Sequence, residues 1–358
     1  VAKSWSPATI IDIARLAGVS KSTVSRVLNE SGSVSAATRR MVLAAFERLD
    51  FNPNAVARNL ARKRSNSFSL IVQDIRNPYY AYASWYAERY LRGYGFSLDI
   101  FNTDNDLGLE KLALESVRYR RVDGLLCIGG DKDATNIVEF HARDRIPMVL
   151  MDREVQGYDI PMINMDNEYG ARLATDHLFD LGHRRIAFAT SDLTLPERRR
   201  RDGFVSSCLA HGIPRNDIFI VSQTEKEWVE GTYHACEEVF SSSDPPTAIF
   251  GSNDVKALRL IRLLRRRGYS VPEDVSVIGY DDIDISAIVI PSLTTIHQPF
   301  KEMIEAGTEM LMRIVDGGDG SLSVEMGKPW LVERESTRRL GAVIEGERPA
   351  ASAGGGKS

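Results

Sequence analysis

The stretch Gly18 to Asn29, GVSKSTVSRVLN, decides how this chain is to be read. Its Lys21-Ser22-Thr23 has the look of the end of a phosphate-binding loop. Such a loop needs a glycine directly before the lysine, so that bare backbone N–H groups can approach the phosphates, and Ser20 stands there instead. The flanking residues supply another reading. Thr9-Ile10-Ile11-Asp12 has the form of a capping box, in which Thr9 accepts a backbone N–H and Asp12 reaches back, and Ile10, Ile13, Ala14 and Ala17 then share one apolar face. A first helix is expected to about Ala17, with Gly18 ending it. Val19 fills the corner. A second helix starts at Ser20 with Val24, Val27 and Leu28 inward, which leaves Lys21, Ser22, Ser25 and Arg26 outward. Ser35 is placed to cap a third helix through about Leu49, with Val42, Ala45, Phe46 and Leu49 as its buried stripe. Three short helices with a glycine turn between the first two make a helix-turn-helix.

In such a unit the second helix enters the major groove with its N-terminal residues at base edges. Lys21, Ser22 and Arg26 are donors of the kind that read guanine O6/N7 or thymine O4, and the hydroxyls of Ser20 and Thr23 suit phosphate oxygens. The charge distribution agrees. The chain has a net charge of −4, yet residues 1–65 hold eleven Lys and Arg against four Asp and Glu, a balance of +7 that leaves −11 for the rest. A basic head on an acidic body suits a polyanionic partner for the head alone. After the head comes Phe51 to Ser65, FNPNAVARNLARKRS, a proline-started helix too short to be stable alone. Leu60 among Arg58, Arg62, Lys63 and Arg64 has the composition of a minor-groove element that wedges a side chain between base steps.

At 358 residues, 43% hydrophobic and 26% charged, the chain has the size of two or three domains and the composition of a soluble globular protein. It contains no apolar run long enough for a membrane span and no signal sequence at its start, so a cytoplasmic location is expected. Cys127, Cys208 and Cys236 are widely spaced and read as buried free thiols. No HExxH or similar spacing points to a metal, and no GxGxxG follows the first strand, so neither a metal nor any other cofactor is expected.

From Phe68 the texture changes to short apolar strands, FSLIV, GFSLDIF, VDGLLCI, PMVLM, RRIAFAT, TAIFGS and VSVIGY, alternating with helical patterns such as Tyr79 to Arg92 and Val255 to Arg267. That alternation implies an α/β core with doubly wound parallel sheet, and a pattern that runs twice implies two lobes with a ligand cleft between them.

The segments TIIDIARLAGVSKSTVSRVLN, VSAATRRMVLAAFERLDFNPNAVARNLARKRS, SNDVKAL, VSVIGYDDIDIS and PSLTTIHQP together resemble the lactose/galactose repressor (LacI/GalR) family, from about Thr9 to Leu340. The resemblance implies a dimeric, effector-responsive transcriptional regulator, a repressor or an activator with repression favoured, with a periplasmic-binding-protein-like core of type I. It places Lys21, Ser22 and Arg26 at base-reading positions and Ser20, Thr23, Ser25, Asn29 and Thr38 at or beside phosphate contacts. Asn54, in the hinge segment, is a further DNA-binding candidate, and Leu60 matches the leucine that wedges into the central minor-groove step. Where some members carry a phosphate-binding tyrosine after Ile10, Ile11 cannot make that bond.

In the core the resemblance matches Asp281 in GYDD, Asn253 in SND and Arg200 to effector contacts, with Asp152 as a rim candidate. Carboxylates, amides and a guanidinium fork suit the vicinal hydroxyls of a sugar or related compound. The loop after the first strand supplies Asp74, with Tyr80 as an aromatic pocket wall, and Trp228 is a candidate second wall. His177 and His183 are read as packed or capping residues. The expected division is a helix-turn-helix domain at 1–52, a hinge helix and linker at 53–66, and a core at 67–341. Within the core, lobe 1 takes about 67–164 and 297–324, and lobe 2 about 165–296 and 325–341. Residues 342–358, ending in AASAGGGKS, read as a disordered tail; members that tetramerise use a C-terminal leucine-heptad helix, and its absence favours a homodimer. A periplasmic-type sugar-binding protein would share the two-lobed core, but the basic head favours operator DNA as the partner. An enzyme on the same sheets has no nucleophile, metal set or phosphate loop to support it.

Overall fold

The computed structural model describes residues 8–28, 32–49, 51, 64–130, 133–155, 157–191, 194–319, 324–325 and 327–341. Asn29, the expected hinge segment with Asn54 and Leu60, and the tail 342–358 lie outside the described residues.

The head is built from α1 (Ile10–Ala17), α2 (Lys21–Leu28) and α3 (Ala36–Arg48). Both bonds of the capping box are made: Thr9 N–H donates to Asp12 Oδ2 at 2.9 Å, and Asp12 N–H donates to Thr9 Oγ1 at 3.3 Å. Gly18 takes the left-handed conformation at φ 64°, which a side chain would disfavour and which turns the chain into α2. Ser20 Oγ then accepts from Thr23 N–H, and Ser35 Oγ accepts from Thr38 N–H, each at 3.1 Å. Ile13, Val24 and Val42 are sealed from solvent at the junction of the three helices, while Leu28, Phe46 and Leu49 are half-buried at its edge.

Two six-stranded sheets form the core. The first has the order β11-β5-β4-β3-β1-β2, from Val324–Glu325, Met162–Asn164, Met148–Met151, Gly124–Ile128, Ser67–Val72 and Ser97–Asn102, all parallel. The second runs β12-β10-β9-β8-β6-β7, from Trp330–Val332, Thr294–His297, Ser276–Asp281, Ala248–Gly251, Ile186–Thr190 and Phe219–Ser222, with only β12 antiparallel. The central strands are covered on both faces by helices, which is why they read as nearly unbroken apolar runs.

The chain passes between the sheets three times: after β5, after β10 and between β11 and β12. The first crossing leads to the helix Asn167–Asp180 on the second sheet. The second leads back to the helix Phe300–Val315, whose Met303, Ile304 and Leu311 are buried against the first. The sequence pattern missed several of these elements, among them β5, β7, β10, β11 and β12 and the helices Thr135–Asp144, Glu225–Glu230, His234–Phe240 and Phe300–Val315. The strands in that group are two to four residues long, too short to show a period.

Two packing details matter below. Helices Asn167–Asp180 and Leu195–Ala210 approach so closely that a Cβ at Gly203 would collide with the Glu168 carbonyl oxygen. The segment leading from the head is fastened to the first sheet: Asp123 accepts from the Ser65 and Asn66 N–H groups, each at 2.8 Å, and Arg64 donates to the Val315 carbonyl at 3.0 Å and to Asp316 at 2.9 Å. Cys127, Cys208 and Cys236 are buried free thiols.

Candidate functional site

On the head, α2 turns Val24 and Val27 into the core and leaves Lys21, Ser22 and Arg26 exposed. Ser20 Oγ lies 2.7 Å from Ser22 Oγ and 2.8 Å from Thr23 Oγ1, so three hydroxyls cluster at the helix N-terminus, where unpaired backbone N–H groups favour anions. Ser25 and Thr38 are half-buried, and Thr38 Oγ1 is 2.8 Å from Ser35 Oγ. This surface offers cationic and hydroxyl donors on one short helix.

The second site lies where both sheets end. Residues at the carboxyl end of β9 or within two residues after β1, β4, β6 and β8 (Asp281, Asp74, Asp152, Ser191 and Asn253) line one cleft with a cavity of about 130 Å³. Ligands of open parallel sheets bind at this end because the strands stop there and the helix N-termini begin.

Arg200, on the helix Leu195–Ala210, is the organising group on the second lobe. It is buried and donates to Asn167 Oδ1 at 2.8 Å and to the Ser252 carbonyl at 2.7 Å. It reaches Asp281 Oδ1 at 3.3 Å and lies over the Tyr280 ring at 3.8 Å. Asp281 also accepts from Gln298 Nε2 at 2.6 Å. Burial pushes the Asp281 carboxyl up to about 6 even though Arg200 and Gln298 oppose it. Asp152 is likewise raised by burial, while accepting from Tyr79 Oη at 2.7 Å.

A second ion network stands beside the first. Lys256 Nζ lies 2.6 Å from Glu197 Oε1 and 3.2 Å from Glu225 Oε2, with the lysine and Glu197 both buried. Glu197 also accepts from Ser191 Oγ at 2.6 Å and Ser252 Oγ at 2.8 Å. Burial would raise its carboxyl, but Lys256 and these hydroxyls override that and hold it at about 2. The first lobe's side of the cleft is mostly neutral: Tyr80 donates to Gln73, which donates to Asn105. Asp74 is paired with Arg76 at 2.7 Å.

Of the residues expected in the cleft, Asp74, Tyr80, Asp152, Arg200, Asn253 and Asp281 all line it. Asn253 faces it from the N-cap of the helix Asp254–Arg266, where its Oδ1 accepts from Lys256 N–H at 2.8 Å. Trp228 does not line it. A capping box at Thr224 and Glu227 starts the helix Glu225–Glu230 and turns the indole into the core, sealed from solvent against Tyr233, with Lys256 Nζ 5.9 Å from its ring. Lys256, Glu197 and Glu225 were missed. The legible signal was a lysine at a position in phase with the buried Leu260 and Leu264 of an apolar helix face. His183 is buried and bonded to Thr247 and to the Arg338 carbonyl, a packing role. Among the described residues, no group of three His, Cys, Asp or Glu is arranged to hold a metal, and no helix is long and apolar enough to cross a membrane.

Comparison with known proteins assigns both parts. Residues 9–54 match the bacterial regulatory proteins of the lacI family, and residues 175–337 match a periplasmic binding protein-like domain. The chain is 35% identical over 334 residues to the HTH-type transcriptional repressor PurR of Photobacterium profundum, covering 93% of this chain and 99% of that protein. Against the PurR of Aliivibrio fischeri strain MJ11 it is 36% identical, over 92% and 98%. Among solved structures, the Lac repressor dimer bound to operator and an anti-inducer superposes with a TM-score of 0.79 at 28% identity, covering 93% of this chain and all of the other. The transcriptional regulator CelR in complex with cellobiose gives 0.68 at 27% identity, over 92% and 99%. With curated repressors matched at this identity over nearly their whole length, the chain belongs to the LacI family of bacterial regulatory proteins.

Proposed function

We propose that this protein is an effector-responsive transcriptional repressor that binds a pseudo-palindromic operator as a homodimer through α2 and takes a small polyhydroxy effector in the cleft between its sheets. The observation that carries the reading is the presence, in one chain, of a helix presenting Lys21, Ser22 and Arg26 and of a buried Arg200–Asp281 pair at the carboxyl ends of parallel strands. The first suits base edges in the major groove. The second suits vicinal hydroxyls, since a carboxylate accepts and a guanidinium donates in forked geometry. Relatives solved with cellobiose and with ribose support a sugar or a related compound.

Two states of the lobes with different effector affinity would couple the cleft to operator binding. The reading assigns the cleft no catalytic role, in keeping with relatives that are transcriptional repressors, and it places the protein in the cytoplasm with its DNA. Selection of binding sites from a random DNA pool tests the first half. A two-fold-related consensus is expected, and recovery of no preferred sequence would refute it. Fluorescence anisotropy on the selected operator, with and without a sub-kilodalton extract of the source cells, tests the second. A changed Kd that disappears in Asp281→Ala is expected.

A further inference from the structure

Most charged side chains lining the cleft are held by a partner. Asp74 is matched by Arg76, Asp281 by Arg200, and Glu197 and Glu225 by Lys256, while Asp152 accepts from Tyr79 Oη. Arg259 also lines the cleft, one helical turn beyond Lys256 on the helix Asp254–Arg266, and it is half-buried. Among the described residues it is the one charged side chain of the cleft with neither an ion pair nor a hydrogen bond. A neutral sugar would leave that guanidinium unmatched, whereas a ligand with one anionic group would pair with it.

We propose that the effector is an anionic sugar derivative, its hydroxyls held by Arg200, Asp281 and their neighbours and its single acidic group held by Arg259. This deepens, and rests on, the reading of the cleft as an effector site. The shared chemistry is a polyol bearing a carboxylate or a phosphate. The carboxylate is favoured, because Glu225 stands on the same side of the cleft as Arg259, close to Lys256, and repels a dianion more than a monoanion. Arg259 selects against the neutral parent compound by charge, the way a site discriminates between ligands of the same shape.

The test uses the full chain and its selected operator. The sub-kilodalton extract is passed over an anion-exchange resin, and the flow-through and the salt eluate are assayed separately by anisotropy. The activity that changes operator affinity is expected in the eluate, to be destroyed by periodate, and to need at least tenfold more eluate with Arg259→Gln than with the parent. Arg259→Lys, which keeps the charge, should restore part of the response, and equal melting temperatures would show that both variants fold. Phosphatase separates the two anions: resistance assigns a carboxylate and sensitivity a phosphate ester. Matched probes give a second readout, with D-galacturonate and D-gluconate expected to raise the melting temperature more than D-galactose and D-glucose. Activity in the flow-through, or an unchanged dose with Arg259→Gln, overturns the proposal while leaving the effector reading intact. Activity in neither fraction removes the effector reading itself, and this proposal with it.

Discussion

Gln298 donates its side-chain amide to Asp281 Oδ1 at 2.6 Å, so a carboxylate of the cleft is tied to the turn where the chain leaves the second sheet for the first. Gln298 is sealed from solvent, and the helix Phe300–Val315 begins two residues later. At its far end this helix meets Arg64, on the segment that leads to the head. The cleft and the segment that follows the head in sequence are thereby joined through one helix.

Asp281 should be indispensable for the response to effector. In Asp281→Ala the effector-induced change in operator affinity is expected to vanish while binding without effector persists. Because Arg200 is left buried without its counter-ion, the variant should also lose about 3–5 kcal/mol of stability. Urea unfolding and operator titration separate the two effects, and Asp281→Asn should lose the response with a smaller loss of stability. An intact response in either variant would move the site elsewhere.

Asp254 predicts a pH dependence. Its buried carboxylate has no cationic partner among the described residues; it accepts from Ile283 N–H at 2.9 Å, Ser286 Oγ at 2.7 Å and Thr295 Oγ1 at 2.5 Å. Burial, reinforced by the charge of Asp281, raises it from 3.8 to about 7. A carboxyl raised in the folded state binds more protons there than when unfolded, so its contribution is full below pH 3.8 and is lost as the pH rises through about 7. Asp254→Asn should flatten that dependence and stabilise the protein at pH 8, with an effect on the order of 4 kcal/mol from the rise to about 7. Denaturant midpoints at pH 5 and pH 8 check it; equal slopes in parent and variant would show that the group titrates normally.

Arg26 should read bases. Its replacement by alanine is expected to cost about 1–3 kcal/mol on the selected operator and to weaken binding to random DNA only by the loss of one charge. Equal losses on both DNAs in anisotropy titrations would make it a phosphate contact.

Gly203 should tolerate no side chain. Alanine there forces apart the helices Asn167–Asp180 and Leu195–Ala210, and Arg200 sits on the second of them. A destabilisation of about 1–3 kcal/mol is expected, with weaker effector binding, by thermal melts and calorimetry. A variant as stable as the parent would mean that the helices can separate freely.

The sequence was most legible where local chemistry is self-contained. Thr9, Asp12, Gly18 and Ser35 each act within three residues of their partners, so the helix-turn-helix could be read from them directly. Long buried strands such as Gly124–Ile128 announce themselves by composition. The crossings between sheets were not legible, because β5 and β10 owe their existence to neighbours distant in sequence rather than to a period of their own. The same limit governs the cleft. Asp281 and Asn253 follow recognisable strands, but the Lys256–Glu197 pair joins residues 59 apart. Trp228 was misplaced because spacing along the chain says nothing of which way a capped helix turns its side chains.

The fastening of Ser65 and Asn66 to Asp123 sets a mechanical ratio. Strand β1 has this tether at one end and Gln73 and Asp74, in the cleft, at the other. Its six residues make an arm of about 20 Å. A tilt of about 10° between the lobes, pivoting near the cleft, swings the tether through about 3 Å, close to the rise of one base pair along B-DNA. A motion too small to unseat any strand would therefore be enough to shift the tethered Ser65 and Asn66 by about one base-pair step.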